Sequence, residues 1–224
     1  IRGDVAGTMR HAGAARDLLP EHDDFGHGAA AGLLGLASWA SGDLEAGHRM
    51  YTEAMERLER AGFISDLFGC ALVLADIRIT QGRLHEAMRI YERAIETAFE
   101  HSVAVLRGTA DMHVGMSALH REWGDLDAAI RHARGSEELG EHNGLRQNPY
   151  RWRVAMAGIR EIQGDLDAAA DLLAEAVRLY EGDFSPDVRP VAALMARTRV
   201  RQGRLAEAAE WARERDRSAH DELS

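Results

Sequence analysis

Residues 122–129 read Glu122-Trp123-Gly124-Asp125-Leu126-Asp127-Ala128-Ala129, and the middle of this phrase returns along the whole chain. A Gly, then Asp or Arg, then Leu or Val stands at Gly3-Asp4-Val5, Gly42-Asp43-Leu44, Gly82-Arg83-Leu84, Gly124-Asp125-Leu126, Gly164-Asp165-Leu166 and Gly203-Arg204-Leu205. The intervals are 39, 40, 42, 40 and 39 residues. Spacing this regular marks a tandem repeat. The flanking columns behave like packing positions. Two residues after each Gly stands Val5, Leu44, Leu84, Leu126, Leu166 or Leu205. Five after it stands Thr8, Gly47, Ala87, Ala129, Ala169 or Ala208. Seven before it stands Gly35, Ala75, Ser117, Ala157 or Ala196, always small. Offsets of three and four place these residues on one face of a helix.

Each unit therefore reads as helix, Gly turn, helix. The Gly sits where the chain leaves the first helix in a left-handed conformation, which penalises any residue with a side chain. The Asp after it in four turns can accept the free N–H groups of the second helix. The small column lets the two helices approach closely. Second helices are expected over 3–19, 43–60, 83–99, 125–139, 165–181 and 204–219. First helices are expected over 27–41, 64–81, 103–123, 147–163 and 187–202. Loop formers fall between repeats, at Leu19-Pro20-Glu21, Ala61-Gly62, Asn143-Gly144, Asn148-Pro149 and Asp183 to Pro186. No stretch reads as a linker. The expectation is one all-α domain over 1–224, an α-solenoid of tandem helix-turn-helix repeats forming a tetratricopeptide-like superhelix.

Composition agrees and excludes. The 224 residues are 46 % hydrophobic, 29 % charged and only 6 % aromatic, a soluble helical balance. All 27 basic residues are Arg, against 37 acidic ones, for a net charge of −10. Without Lys there is no P-loop lysine, no Schiff-base lysine and no Ser-x-x-Lys nucleophile. The negative charge argues against gripping a phosphate backbone, so no nucleic-acid binding by this domain is expected. The lone Cys70 cannot form an internal disulfide, which suits a reducing, cytoplasmic setting. No apolar run is long enough to span a bilayer, and Arg2, Asp4 and Arg10 interrupt any signal-peptide core. A first residue of Ile1, with no polar capping repeat at either end, reads as a piece of a longer array.

Three stretches narrow the family: residues 122–129 with the following Arg131-His132, residues 202–214 (QGRLAEAAEWARE) with the terminal Asp221-Glu222-Leu223-Ser224, and residues 27–47 (HGAAAGLLGLASWASGDLEAG). Together they resemble the MalT-like superhelical repeat region of large ATP-binding LuxR-type transcription regulators, over essentially the whole chain. Thr8 and Gly47 depart from an Ala-dominated column, and Gly135-Ser136 falls inside a helix. The resemblance implies a domain that receives a small-molecule effector or a partner protein or peptide. It would bias the other domains of the same regulator, a bacterial, cytoplasmic protein. ATP would belong to a separate module, with no cofactor in this chain. The rival class is a stand-alone or kinase-attached interaction scaffold with no small ligand. An enzyme is not expected, since no catalytic constellation is readable.

The candidate ligand groove lies on the first helices. Four residues before the turn Gly stand Ser38, Arg78, His120, Arg160 and Arg199; eleven before stand Ala31, Ala71, His113, Arg153 and Ala192. Tyr150 and Trp152 adjoin the row. Arg forks grip carboxylates or phosphates, and aromatic faces stack on rings. By analogy with tetratricopeptide stacks this row is assigned to the inner surface. The set Arg78, His113, His120, Tyr150, Trp152, Arg153, Arg160 and Arg199 is the candidate effector or peptide site. A solvated face balanced by nearby Asp and Glu explains the same row. Gly26-His27-Gly28 through Gly32 imitates a dinucleotide fingerprint, but follows no strand and suits helix packing. Glu21, His22, Asp23 and Asp24 read as helix-start chemistry rather than a metal site. Trp123, Trp211 and Cys70 read as packing residues.

Overall fold

At each repeat turn the chain leaves one helix through a left-handed glycine. Gly42, Gly82, Gly124, Gly164 and Gly203 have φ of 89°, 75°, 79°, 83° and 78°. A Cβ at any of the five would meet nothing within 4 Å, so conformation and not crowding selects glycine. The turn closes by backbone bonds: Gly42 N–H donates to Trp39 O at 2.9 Å and Asp43 N–H to Ser38 O at 2.9 Å. The next residue then opens the second helix. Asp43, Asp125 and Asp165 accept from the N–H of Ala46, Ala128 and Ala168 at 2.9, 3.0 and 3.1 Å. Asp4 does the same for Gly7 at 2.7 Å.

The computed structural model describes residues 4–100, 107–140, 143–181 and 190–221. Within them eleven helices follow in order: α1 (Val5–Leu18), α2 (Asp24–Ala40), α3 (Leu44–Arg60), α4 (Ile64–Thr80), α5 (Leu84–Glu100), α6 (Thr109–Glu122), α7 (Leu126–Leu139), α8 (Asn148–Ile162), α9 (Leu166–Leu179), α10 (Val191–Arg201) and α11 (Leu205–Asp221). Even-numbered helices are the first of each repeat and odd-numbered ones the second. Three starts differ from expectation, and that of α10 moves to Val191 because Pro190 is extended, with ψ 132°. α2 begins at Asp24 because Asp23 accepts from Gly26 N–H at 2.8 Å and caps the helix early. α6 begins only at Thr109, after Gly108 with φ 107°. Gly3, residues 103–106, 187–189 and 222–224, and the expected loop from Asp183 to Pro186 lie outside the described residues. Among the described residues no helix is long and apolar enough to cross a membrane.

The small columns are where paired helices touch. A Cβ on Gly35 would come within 2.7 Å of the Tyr51 ring and 3.2 Å of Gly47 O; one on Gly47 would come within 3.3 Å of Gly35 O. Gly47 is thus half of a glycine–glycine crossing of α2 and α3, which accounts for its departure from Ala. In the third repeat the buried Ser117 hydroxyl donates to Ala129 O at 2.8 Å across the same crossing of α6 and α7. Gly28 also faces α3, since a Cβ there would lie 3.2 Å from Leu58 Cγ, so the glycine-rich stretch serves packing. Ser136 is buried inside an uninterrupted α7.

The core runs continuously between repeats. Leu36, Trp39 and Tyr51 pack on Val73, Leu74 and Ile77; Phe68, Leu72 and Tyr91 pack on Met112, Met116 and Leu119. Polar rungs span the same seams. The residue just before a turn Gly reaches the residue three after the preceding turn Gly. Gln81 Nε2 donates to Glu45 at 3.0 Å and Gln202 Nε2 to Asp167 at 2.6 Å. Between them the rung is aromatic: Trp123 stacks on His85 at 4.8 Å.

Candidate functional site

The Arg and His row of the first helices points at the second helix of its own repeat. Arg78 on α4 lies 3.0 Å from Glu86 on α5. Arg153 Nε on α8 donates to Glu175 on α9 at 2.6 Å, and Arg199 on α10 lies 3.3 Å from Glu207 on α11. His113 Nδ1 lies 2.9 Å from His132 Nδ1 on α7, and the His120 ring stacks on the other side of His132 at 5.2 Å. Arg160 donates to Gln163 at 3.1 Å. Trp152 Nε1 donates to Ala133 O at 2.9 Å, with the Arg153 guanidinium 6.0 Å from its ring. Arg78, His113, His120, Arg153 and Arg199 thus lie along the seam between the two helices of their own repeats, while Arg160 bonds within its own repeat turn and Trp152 reaches α7 of the preceding repeat. Asp23, from the acidic loop, caps α2, while Asp24 lies 3.0 Å from both Arg57 and Arg60.

Roughly a third of a turn round the same helices lies a face that forms a groove. It holds a cavity of about 250 Å³. The walls come from residues about three, six, ten and thirteen before the turn Gly on α4, α6, α8 and α10. The middle is apolar, with Leu72, Val114, Val154 and Leu194. The floor is lowered by small residues, Gly115, Ala118, Ala155 and Gly158. Gly115 has a specific duty: a Cβ there would strike the Tyr91 ring, which reaches the cavity from α5 behind it.

Polar groups form the two rims. At the upper rim Asp111 is fully buried, accepts from Leu145 N–H at 2.7 Å and lies 3.3 Å from Arg151. Burial pushes its carboxyl above the usual carboxylate range, against the pull of the Leu145 amide and Arg151. Tyr150 meets Tyr180 edge-on at 5.1 Å, and the Arg151 guanidinium lies 5.9 Å from the Tyr150 ring. At the lower rim the buried Glu161 accepts from Arg197 at 3.1 Å, from Arg201 at 3.0 Å and from the Thr198 hydroxyl. Arg121 and Glu122 complete that rim.

Of the eight candidate residues, Tyr150 lines this cavity. Arg199 lines a second, apolar crevice of about 380 Å³ between α9, α10 and α11, beside Glu207, Val177 and Trp211. The groove residues Asp111, Arg121, Arg151, Glu161 and Arg197 were not singled out by sequence. A signal existed: Asp111 and Arg151, and Glu161 and Arg201, are opposite charges one repeat apart. The polar groups of the lining are carboxylates, arginines and tyrosines. Among the described residues no group of three or more His, Cys, Asp or Glu is placed to hold a metal ion. Cys70 is largely buried, and burial, helped by Asp66, pushes its thiol up to about 12.

Comparison with known proteins follows the fold. The model of the MalT-like TPR region matches residues 1–223. No curated protein matches. Several solved structures are similar, among them three from different settings. One is in the APC/C hetero-tetramer Cut9-Hcn1, with TM-score 0.67 and 13 % identity, covering 93 % of this chain and 35 % of that one. Another is BtubC (BKLC) from P. vanneervenii, with TM-score 0.64 and 19 % identity, covering 98 % of this chain and 92 % of that one. The third is NprR in complex with its cognate peptide NprX, with TM-score 0.67 and 13 % identity, covering 94 % of this chain and 60 % of that one. At such identities the likeness is one of fold.

Proposed function

The chain belongs to the MalT-like TPR family, and from that premise we propose that it is the sensing and protein-interaction domain of a LuxR-type transcription regulator. It takes an effector or a partner peptide in the concave groove between α4 and α10, and its occupancy biases an ATP-dependent switch outside these residues. The observation that carries this reading is the cavity itself. An apolar middle flanked by two rims of Arg–carboxylate pairs and tyrosines offers dry contact area with orienting polar groups. The NprR structure, of the same fold, holds a peptide. Binding can shift a switch only if the ligand prefers one of two arrangements of the stack. The ion pairs that join α6 to α8 and α8 to α10 supply contacts able to differ between them.

The test is a thermal-shift and calorimetry screen of small molecules and short peptides against the wild type and Ala118→Leu. The variant fills the groove floor and replaces no member of an ion pair. A ligand of this site raises Tm in the wild type and loses at least tenfold in affinity, about 1.4 kcal/mol, in the variant. A ligand bound equally by both proteins sits elsewhere and removes the groove from the reading. Binding confined to large folded partners, with silence from every small molecule and peptide, replaces the sensor by a scaffold.

A further inference from the structure

The three arginines of the groove are held in different ways. Arg151 pairs with the fully buried Asp111, and Arg197 with the buried Glu161. Arg121 pairs with Glu122, the next residue in sequence, through Nη2 to Oε1 at 2.5 Å. The Glu122 side chain is 49 % exposed while that of Arg121 is only 17 % exposed. Neighbouring residues on a helix do not face one another, and a half-exposed partner in water holds weakly. The guanidinium itself is largely buried. It lies on the backbone of α8 where Gly158 has no side chain, and a Cβ there would collide with it. The fold thus brings this cation to the lower rim of the groove and leaves its counter-ion replaceable. Val114, Val154 and Leu194 line the cavity beyond it. A planar guanidinium fork matches a carboxylate.

We propose that Arg121 receives a carboxylate of the ligand in exchange for Glu122, while an apolar portion of that ligand lies along Val114, Val154 and Leu194. The proposal rests on the groove being the binding site. The carboxylate can come from a free organic acid or from an acidic side chain of a peptide. Asp111 and Glu161, which share the cavity with Asp76, keep their own arginines.

The experiment is an NMR titration of the whole chain with matched probes. One arm uses octanoate and octanamide. The other uses the peptide acetyl-Leu-Val-Glu-Leu-amide and its Gln counterpart. The Arg121 Nε–H resonance and the methyls of Val114, Val154 and Leu194 are followed. The charged member of at least one pair binds about tenfold tighter than its neutral partner. Preference in the first arm identifies a free acid, and in the second an acidic peptide. Arg121→Gln abolishes the preference. Glu122→Gln, on an exposed side chain that leaves the fold intact, tightens the charged probe by up to about fivefold, the strength of the pair it removes. Charged and neutral probes that shift the methyls equally overturn the role of Arg121 and leave the groove reading standing. A preference that survives Arg121→Gln, or weaker binding by Glu122→Gln, also overturns it. If no probe in either arm moves the groove methyls, the groove reading fails and this proposal with it.

Discussion

Gly124 carries a φ of 79° with open space around it, so replacement by alanine tests conformation alone. A left-handed residue with a side chain costs roughly 1–2 kcal/mol, and Gly124→Ala is expected to lose about that much in urea unfolding, with Gly124→Asn losing less. Asp125→Ala, one residue on, removes the acceptor for Ala128 N–H and should cost about 0.5–2 kcal/mol. Two losses within these ranges would show that the turn is held locally; no loss at either would place its stability in the packing around it. Both residues were legible in the sequence, because left-handed glycines and capping aspartates act over three or four residues and leave a local mark. Arg121 left no such mark. Its position depends on the missing Cβ of Gly158, which is distant in sequence and becomes informative only when α6 and α8 lie side by side.

Helices reveal their apolar faces readily and the aim of their polar faces poorly. The expected groove row stands at four and eleven residues before the turn Gly, whereas the lining of the cavity stands at about three, six, ten and thirteen. At 3.6 residues per turn a one-residue error of phase swings a side chain by about 100°. The crossing of each helix pair decides which polar row meets the partner helix and which meets the cavity. The histidines of that row instead tie α6 to α7. His132 lies between His113 and His120, with Arg131 beside it and Asp125 3.7 Å from His120; α8, which packs on both α6 and α7, donates its Trp152 indole N–H to Ala133 O. Burial first, then the neighbouring histidines and Arg131, pull His132 down to about 4, and burial lowers His113 too. Because the folded pKa lies below the ordinary value of 6.5, the unfolded chain binds more protons between those two values. The stabilisation is full above pH 6.5 and is lost as pH falls towards 4. Tm should fall across that window more steeply in the wild type than in His132→Gln, a difference that cancels the carboxylates titrating nearby. Equal slopes would show that the cluster carries no such linkage.

Across the whole molecule each repeat touches its neighbours, and stability is close to a sum of repeat and seam contributions. Damage should therefore stay local. Gly35→Val drives a side chain into Tyr51 and the Gly47 carbonyl. Hydrogen exchange should show lost protection in α2, α3 and the facing part of α4, with α8 to α10 retaining theirs. Uniform loss along the chain would mean that the solenoid unfolds as one cooperative block. The period and the helix pairing at this scale were plain in the sequence because the same phrase recurs six times. The groove was not, since its walls are assembled from residues about forty apart that no single repeat contains.

The seams differ in chemistry although the repeats share one grammar. Glu45 meets Gln81, His85 meets Trp123, and Asp167 meets Gln202. The unit from Gly82 to Trp123 holds both members of its rung, His85 and Trp123, as the unit from Gly42 to Gln81 holds Glu45 and Gln81. Each brick thus carries its own key. Excising residues 82–123 joins Gln81 to Gly124 and leaves the Glu45–Gln81 and Asp167–Gln202 rungs whole, so a unit cut from turn to turn can be lost or gained without parting a pair of partners.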